Sequence, residues 1–427
     1  MKKQTIYKKR RQTLGQRYSN TLFIIPSGDL ARRSHSVYYR FKVPSDFFYL
    51  TGLSIPESVL IIYQEKSFLL QNLPSSEAQI FGENLFNIHL ANDSLKNDFH
   101  IDSLQNLESL LKSYVTNADR LALPIGRVTM IDQLALQLIS YSQTTRKRPR
   151  STPIQLSDSH AFIGLLRLIK DQAEILQLEQ ACQKSSSAHE QLMKMQWIGA
   201  SEQQVAQHIE KLFLEMQMPW TAYETIVGSG PRTTFLHSNP SAKIIDRTDL
   251  ILVDAGAEKN GYCADITRVF PAAKRFSVLQ KEMYEVVLQT QKEVIKNIQP
   301  GKNLNDLHQL TLSLINELLQ KNGHPLQTRN QLELFMPHST SHWLGLDVHD
   351  PSPYFNDDGR PIQLKAGMCF TVEPGLYFNQ TEGPFKNYLG LGIRIEDDVL
   401  VTEQGSCVLT SAPKETEEIE TLRPDVC

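Results

Sequence analysis

Four acidic residues in the C-terminal half of the chain stand where apolar runs would bury them. Glu373 closes the stretch Met368-Cys369-Phe370-Thr371-Val372 and is followed at once by Pro374-Gly375. Asp254 and Asp265 belong to LILVDAGAEKNGYCADITRVF (250–270), two β-forming runs around a Lys-Asn-Gly turn, which is a hairpin pattern. With Lys259-Asn260 as the turn the two aspartates face each other; with Asn260-Gly261 they are diagonal neighbours. Either register puts both on one face, since only a one-residue slip separates them. In GIRIEDDVLV (392–401) strand alternation sends Ile393, Ile395, Asp397 and Val399 to one side, and Arg394, Glu396, Asp398 and Leu400 to the other. Bare carboxylates cannot share a buried face without a cation or a proton between them.

The stretch HSTSHWLGLDVHD (338–350) adds His338, His342 and His349. The spacing of His342 and His349 sends them to opposite sides of a flat strand, and Gly345 offers the bend that lets both reach one site. Four carboxylates and an imidazole are hard oxygen donors with one borderline nitrogen. Their charge balances two divalent ions and suits Mn²⁺, Co²⁺, Fe²⁺ or Zn²⁺ rather than thiolate-seeking metals. Such a pair clamps a bridging water and lowers its pKa toward about 7. Glu373 is therefore expected to be buried because metal neutralises it.

The elements that must position these groups fall into two parts. At 427 residues the chain is long enough for two domains, and the boundary is placed near residue 168, giving domains 1–168 and 169–427. A hydrophobic content of 41% against 21% charged residues describes a globular chain, and a net charge of −3 gives no reason to expect nucleic acid or membrane as the partner. No apolar run reaches the roughly 20 residues of a spanning helix. The basic N-terminus, MKKQTIYKKRRQTLGQRY, lacks an apolar stretch behind it and reads as a solvated helix with Ile6 and Leu14 on its packed side. Five cysteines without a CxxC pair fit reduced thiols and a cytoplasmic chain. Strands are expected at 20–26, 58–63 and 67–73, a helix at 101–115 and a surface loop at 142–153. Asp171 and Glu174 form a capping box for the helix that follows, and further helices are expected at 201–217, 277–297 and 303–322, an α+β pattern.

In order and spacing, VDAGAEKNGYCADITRVF, SHWLGLDVHD, TVEPGLY and GIRIEDD resemble the pita-bread metallopeptidases, and within them the aminopeptidase P group. The stretch YYRFKVPSDFFYLTGLSIPESVLII (38–62) is similar to that group's non-catalytic domain. The resemblance implies a C-terminal pita-bread catalytic domain, of the creatinase and methionine-aminopeptidase type, behind a smaller α/β creatinase-like domain. It implies metal ligands Asp254, Asp265, His342, Glu373 and Glu396, with Asp265 and Glu396 bridging two ions, usually manganese. It places His237, in FLHSNP, over the substrate and His349 at the scissile carbonyl. His338 and Arg394 support the ligands. The substrate it implies is a peptide with an N-terminal Xaa-Pro, and a dimer or tetramer is expected.

Two other functions remain open. A proline dipeptidase needs an arginine for its product's carboxylate, and no arginine lies between Glu373 and Arg394. A metal-free binding module on the same fold would not need the five ligands. Gly228-Ser229-Gly230 reads as a plain turn, Cys263 as a small core residue and His189 as a structural histidine on a helix. Residues 1–168 are expected to carry no catalytic group, to narrow the cleft and to support subunit contacts.

Overall fold

The computed structural model describes residues 3–72, 95, 97–145, 154–326, 329–379 and 385–425. The chain forms two compact units, 1–166 and 167–427. No helix among the described residues is long and apolar enough to cross a membrane.

In the first unit, β1 (Thr21–Pro26), β2 (Ser58–Tyr63) and β3 (Lys66–Gln71) pair antiparallel. The short strands β4 (His100–Asp102), β5 (Arg120–Leu123) and β6 (Gln155–Asp158) join in parallel, giving the order β4-β3-β2-β1-β5-β6. β1 and β2 are buried along their whole length, as expected of a sheet covered on both faces. Leu107, Leu111 and Val115 of α2 (Leu107–Val115) and Ile131, Ala135 and Leu138 of α3 (Thr129–Thr145) form one core with Leu22, Ile24 and Ile61. The basic N-terminus is the helix α1 (Lys3–Arg17), and its packed side is larger than expected. Leu14 is fully buried, and Arg11 lies over the Phe99 ring at 3.9 Å and donates from Nη1 to Leu50 O at 2.6 Å.

Two local expectations for this unit need correction. Residues 101–102 are strand rather than helix, because they pair parallel beside β3, and Asp102 Oδ1 then accepts from Ser103 N to turn the chain. Residues 142–145 are the end of α3, where Ser142 Oγ donates back to Ile139 O and Thr144 Oγ1 to Tyr141 O. The rest of the expected loop, 146–153, lies outside the described residues, as does Leu73.

The second unit starts its helices on side-chain caps. Asp171 and Glu174 form a capping box for α4 (Gln172–Met193), as do Ser201 and Gln204 for α5 (Glu202–Glu215) and Ser277 and Gln280 for α6 (Val278–Lys296). Asn303 caps α7 (Leu304–Lys321). The strands are β7 (Ile226–Ser229), β8 (Leu250–Asp254), β9 (Glu258–Lys259), β10 (Tyr262–Cys263), β11 (Thr267–Pro271), β12 (Cys369–Val372), β13 (Gly375–Phe378), β14 (Leu391–Arg394), β15 (Asp397–Thr402) and β16 (Gly405–Val408). They form the groups β11-β8-β7, β12-β15-β16, β13-β14 and β10-β9. Helices cover them through Leu192, Val205, Ile209, Val287 and Ile315, which pack on Ile251, Val253, Phe378 and Ile393.

The hairpin turns at Asn260-Gly261, both at positive φ (50° and 87°), as a primed two-residue turn requires. Tyr262 pairs with Lys259, and the ladder resumes in the same register with Thr267 opposite Asp254. Asp254 and Asp265 are therefore diagonal neighbours on one face. Between the ladders, a Cβ at Gly256 would lie 1.8 Å from Ala264 O. Only a glycine lets these two backbones approach so closely. GIRIEDDVLV is not one strand: it breaks at Ile395-Glu396, where the chain leaves β14 for β15 in a different sheet.

Gly256→Ala is expected to cost roughly 1–3 kcal/mol or more, because a strand carbonyl must move. All three tryptophans, Trp197, Trp220 and Trp343, lie in the second unit, so their fluorescence during urea unfolding measures this loss. An unchanged midpoint would contradict the register.

Candidate active site

The four carboxylates reach one cleft of the second unit from four short elements. Asp254 is the last residue of β8 and Asp265 lies just before β11. Glu373 follows β12, and Glu396 lies in the break between β14 and β15. Each thus stands at a strand end, where the ladder stops and the side chain can turn toward a cavity. The cleft encloses about 410 Å³, and Asp254, Asp265, His342, Glu373 and Glu396 all line it. His237, His338, His349 and Arg394 line it as well, so the structure brings every site residue named from the sequence together.

His342 arrives on a segment without regular structure. Thr371 N donates to His342 O, Glu373 N to Thr340 O and Leu344 N to Cys369 O, so the segment runs along β12. The bend at Gly345 is needed: a Cβ there would lie 2.1 Å from Asp350 Oδ2. The bend brings the His342 and His349 rings to 4.4 Å between centroids. His342 Nδ1 lies 3.3 Å from Trp343 O, which leaves Nε2 facing Asp265 Oδ2 at 3.3 Å and Glu373 Oε1 at 3.5 Å. A backbone carbonyl on one ring nitrogen is the usual way to aim the other at a metal.

Arg394 forms the back of the site. Its Nη2 donates to Asp254 Oδ2 at 2.5 Å and its Nη1 to Tyr377 Oη at 3.0 Å. Its Nε donates to Thr267 Oγ1 at 3.0 Å, and that hydroxyl donates to Glu396 Oε2 at 2.6 Å. His338 Nε2 is 2.9 Å from Tyr377 Oη and its Nδ1 2.8 Å from Ser339 O. Its Nδ1 also lies 3.8 Å from Glu373 Oε2, so the ring stands beside that carboxylate. Tyr223 Oη donates to Asp254 Oδ1 at 2.5 Å.

Crowding governs the protonation of these groups. Burial, reinforced by Asp265 and Asp254 against the pull of His342 and Arg394, raises Glu373 to about 7. Burial together with Asp265, Glu373 and Asp254 pushes Glu396 well above the carboxylate range. Burial also raises Asp254, against Arg394. It would lower His342, yet the hydrogen bond to Asp265 and the charge of Glu373 bring that ring up to about 9. His349 and His338 move the other way. Burial and His342 lower His349, and burial and Arg394 bring His338 down to about 4.

The residues fit divalent cations. One donor atom each from Asp265, His342 and Glu396 lies within 4.8 Å of the others. Glu396 is buried and Glu373 partly buried near like charges, yet each accepts from one threonine hydroxyl, Glu373 from Thr371 Oγ1 at 3.3 Å and Glu396 from Thr267 Oγ1 at 2.6 Å. Carboxylates so placed need positive charge, and the oxygen-rich set with one imidazole matches borderline divalent ions.

Tyr223, Thr267 and Tyr377 were not identified from the sequence. Thr267 carries a signal, since it stands two residues after Asp265 and shares its face. Tyr223 and Tyr377 carry none that sequence spacing reveals. His189 is fully buried and lies with Nε2 2.8 Å from Ala255 O, and burial lowers it to about 3. It is a neutral core histidine that donates to the strand end beside Asp254. Cys263 is buried, and Gly230 opens a short 3₁₀ turn at φ 54°.

Known proteins share both units. Residues 177–403 match metallopeptidase family M24, and residues 7–122 match the N-terminal domain of aminopeptidase P. The chain is 30% identical to an Xaa-Pro aminopeptidase of Escherichia coli, over 97% of each protein. It is also 30% identical to the mitochondrial intermediate cleaving peptidase 55 of Arabidopsis thaliana, over 96% of this chain and 80% of that one. Among solved structures, the low-pH form of aminopeptidase P from E. coli superposes with a TM-score of 0.89 at 29% identity, covering 99% of this chain and 98% of that one. Proline aminopeptidase P II from Yersinia pestis superposes with a TM-score of 0.87 at 30% identity, covering 98% and 99%. The chain belongs to metallopeptidase family M24, with the pita-bread fold of aminopeptidase P and that group's N-terminal domain, and it is a metal-dependent peptidase.

Proposed function

We propose that this chain is an aminopeptidase that releases the N-terminal residue from peptides with proline in the second position. The observation that carries the reading is the convergence of Asp254, Asp265, His342, Glu373 and Glu396 on one cleft. It does so in a chain alignable over 97% of its length with a relative named Xaa-Pro aminopeptidase. An Xaa-Pro bond is a tertiary amide without an N–H, so peptidases that grip that N–H have nothing to hold.

Those five residues would hold two divalent cations, manganese by preference. When bound, the ions supply an acidified water and an electrophile for the scissile carbonyl. Glu373 accepts the proton of the attacking water and passes it to the proline nitrogen, a poor leaving group until protonated. His349, whose cationic form burial disfavours, donates one N–H to the carbonyl oxygen as negative charge develops there. His237 faces the substrate from the wall of the cleft. Arg394 and Tyr377 hold Asp254 and His338 in place. We assign residues 1–168 no catalytic group and a role in narrowing access and in subunit contacts. A place in the cytoplasm fits the free thiols of Cys182, Cys263, Cys369 and Cys407, and the dimer or tetramer rests on the family resemblance alone.

Purified protein reloaded with Mn²⁺ is expected to contain two ions per chain and to cleave an Xaa-Pro-Yaa tripeptide much faster than an Xaa-Pro dipeptide. Chelation should abolish both activities. Faster dipeptide cleavage would make it a dipeptidase, and absence of bound metal by elemental analysis would refute the centre.

Two substitutions separate the roles. Glu373→Gln keeps the shape but removes the base and one ligand charge, so kcat should fall furthest and metal should be partly lost. His349→Ala should keep both metals and lose on the order of 10²–10³ in kcat, the scale of one oxyanion donor. Metal content and kcat measured on the same preparations decide it. Near-normal turnover of His349→Ala with both metals bound would remove its assigned role.

A further inference from the structure

Glu202 is a fully buried carboxylate that the chemistry above does not use. It stands in the first turn of α5. Its Oε1 accepts from Ser229 N at 2.9 Å, Ser229 Oγ at 3.0 Å and Arg232 Nε at 3.1 Å. Its Oε2 accepts from Arg232 Nε at 2.9 Å, Ser241 N at 3.1 Å and Ser241 Oγ at 2.6 Å. Arg232 Nη2 continues to Ser238 Oγ at 3.0 Å and Asn239 O at 2.8 Å. One side chain therefore gathers both ends of the segment 229–241 and, through Arg232, its middle.

That segment leaves the sheet at Ser229, makes a short 3₁₀ turn over Gly230–Thr234 and then has no regular structure up to Ser241. Its backbone groups lack a ladder, and a buried acceptor with several lone pairs supplies what a ladder would. An apolar residue at 202 would leave Ser229 N and Ser241 N without this partner. The same segment supplies Leu236, His237 and Asn239 to the wall of the cleft. Its base is held on the other side by Gly392 N, which donates to Thr233 Oγ1 at 2.9 Å, two residues before Arg394.

We propose that Glu202 is a positioning residue for substrate recognition: it fixes the cleft wall of Leu236, His237 and Asn239, and so sets where the His237 imidazole meets the peptide. The proposal rests on the reading of His237 as a substrate contact. Glu202 has no role in holding metal, because none of its partners reaches the carboxylate centre.

The test compares Glu202→Gln, His237→Ala and the double variant in the Mn²⁺-loaded full chain. It measures kcat and KM on an Xaa-Pro-Yaa tripeptide, bound metal and thermal stability. Glu202→Gln keeps the side-chain shape but turns an N–H donor against the Ser241 or Ser229 donors. It should keep both metals while kcat/KM falls about tenfold or more, the scale of a small misplacement of a positioned group. The double variant should lose no more than the worse single variant, because both act at one imidazole. Ser241→Ala removes one hydroxyl donor, keeps the buried charge and serves if the Glu202 variants do not fold. It should also be non-additive with His237→Ala. An impaired His237→Ala beside an unimpaired Glu202→Gln overturns the positioning role alone, as do fully additive losses or loss of metal from Glu202→Gln. An unimpaired His237→Ala is a different result: it overturns the reading of His237 and the positioning role with it.

Discussion

Repulsion among Asp254, Asp265, Glu373 and Glu396 is the constraint that the second unit is arranged to withstand. Two like charges about 4 Å apart repel by about 4 kcal/mol at an effective dielectric near 20, and here four acids share one cleft. The fold meets this from behind with fixed cations and donors. Arg394 pairs directly with Asp254. Asp397, beside Glu396, points away from the cleft to the buried Arg268 at 2.6 Å and to Lys414 at 2.5 Å. Gln291 of α6 donates to Val372 O at 3.2 Å and Ile395 O at 3.1 Å, the carbonyls that precede Glu373 and Glu396. One uncharged side chain thereby ties together the two chain segments whose carboxylates repel each other. Removing one partner of a buried pair such as Arg268 and Asp397 typically costs about 3–5 kcal/mol, so the support is stiff.

Much of this was legible in the sequence because it depends on periodicity. Alternation through Asp265, Thr267 and the partner strand fixed which side chains share a face, and either turn register led to the same face for the two aspartates. The glycine and asparagine that adopt positive φ at 260–261 marked the turn. The helix starts could be read from Asp171 and Glu174, whose reciprocal bonds are local. The order of four motifs gave the family, and with it the assignment of His342 and His349, which spacing alone would have placed on opposite sides of a strand.

What could not be read depends on contacts between distant segments. Tyr223 reaches Asp254 from outside any strand, and no period links the two. The break at Ile395-Glu396 is invisible to an alternating pattern, because each half alternates correctly in its own sheet. It matters all the same: leaving β14 lets Glu396 N bond to Thr267 O at 3.2 Å and places its carboxylate beside Asp265. The path of residues 338–350 is set by tertiary polar contacts as well. Arg167 Nη2 donates to Asp350 Oδ2 at 3.1 Å and to Asp347 Oδ2 at 2.6 Å, and Asp350 N donates to Trp343 O at 3.0 Å. Such a loop has no hydrophobic rhythm to detect.

Several acids of this unit fall into two groups, distinguished by their donors. Asp397, Asp350 and Glu202 face inward and collect donors from segments that cannot form ladders. Arg268 and Lys414 serve Asp397, Arg167 and Ser352 serve Asp350, and Ser229, Arg232 and Ser241 serve Glu202. Glu373 and Glu396 face the cleft with one threonine hydroxyl each, and burial raises both. Asp397, Asp350 and Glu202 are thus parts of the scaffold, whereas Glu373 and Glu396, short of donors, are open to a cation from outside; Asp254 faces the same cleft while Arg394 and Tyr223 hold it from behind. Aspartate 398 sits between the two kinds. Its Oδ2 accepts from Asp265 N at 2.9 Å and from Cys182 Sγ at 3.2 Å, while burial and Asp265 hold its own carboxyl well above the usual range. The three consecutive acids of this motif thus answer to three different environments: Glu396 to the cleft, Asp397 to the buried cations, and Asp398 to the backbone of the opposing ligand strand.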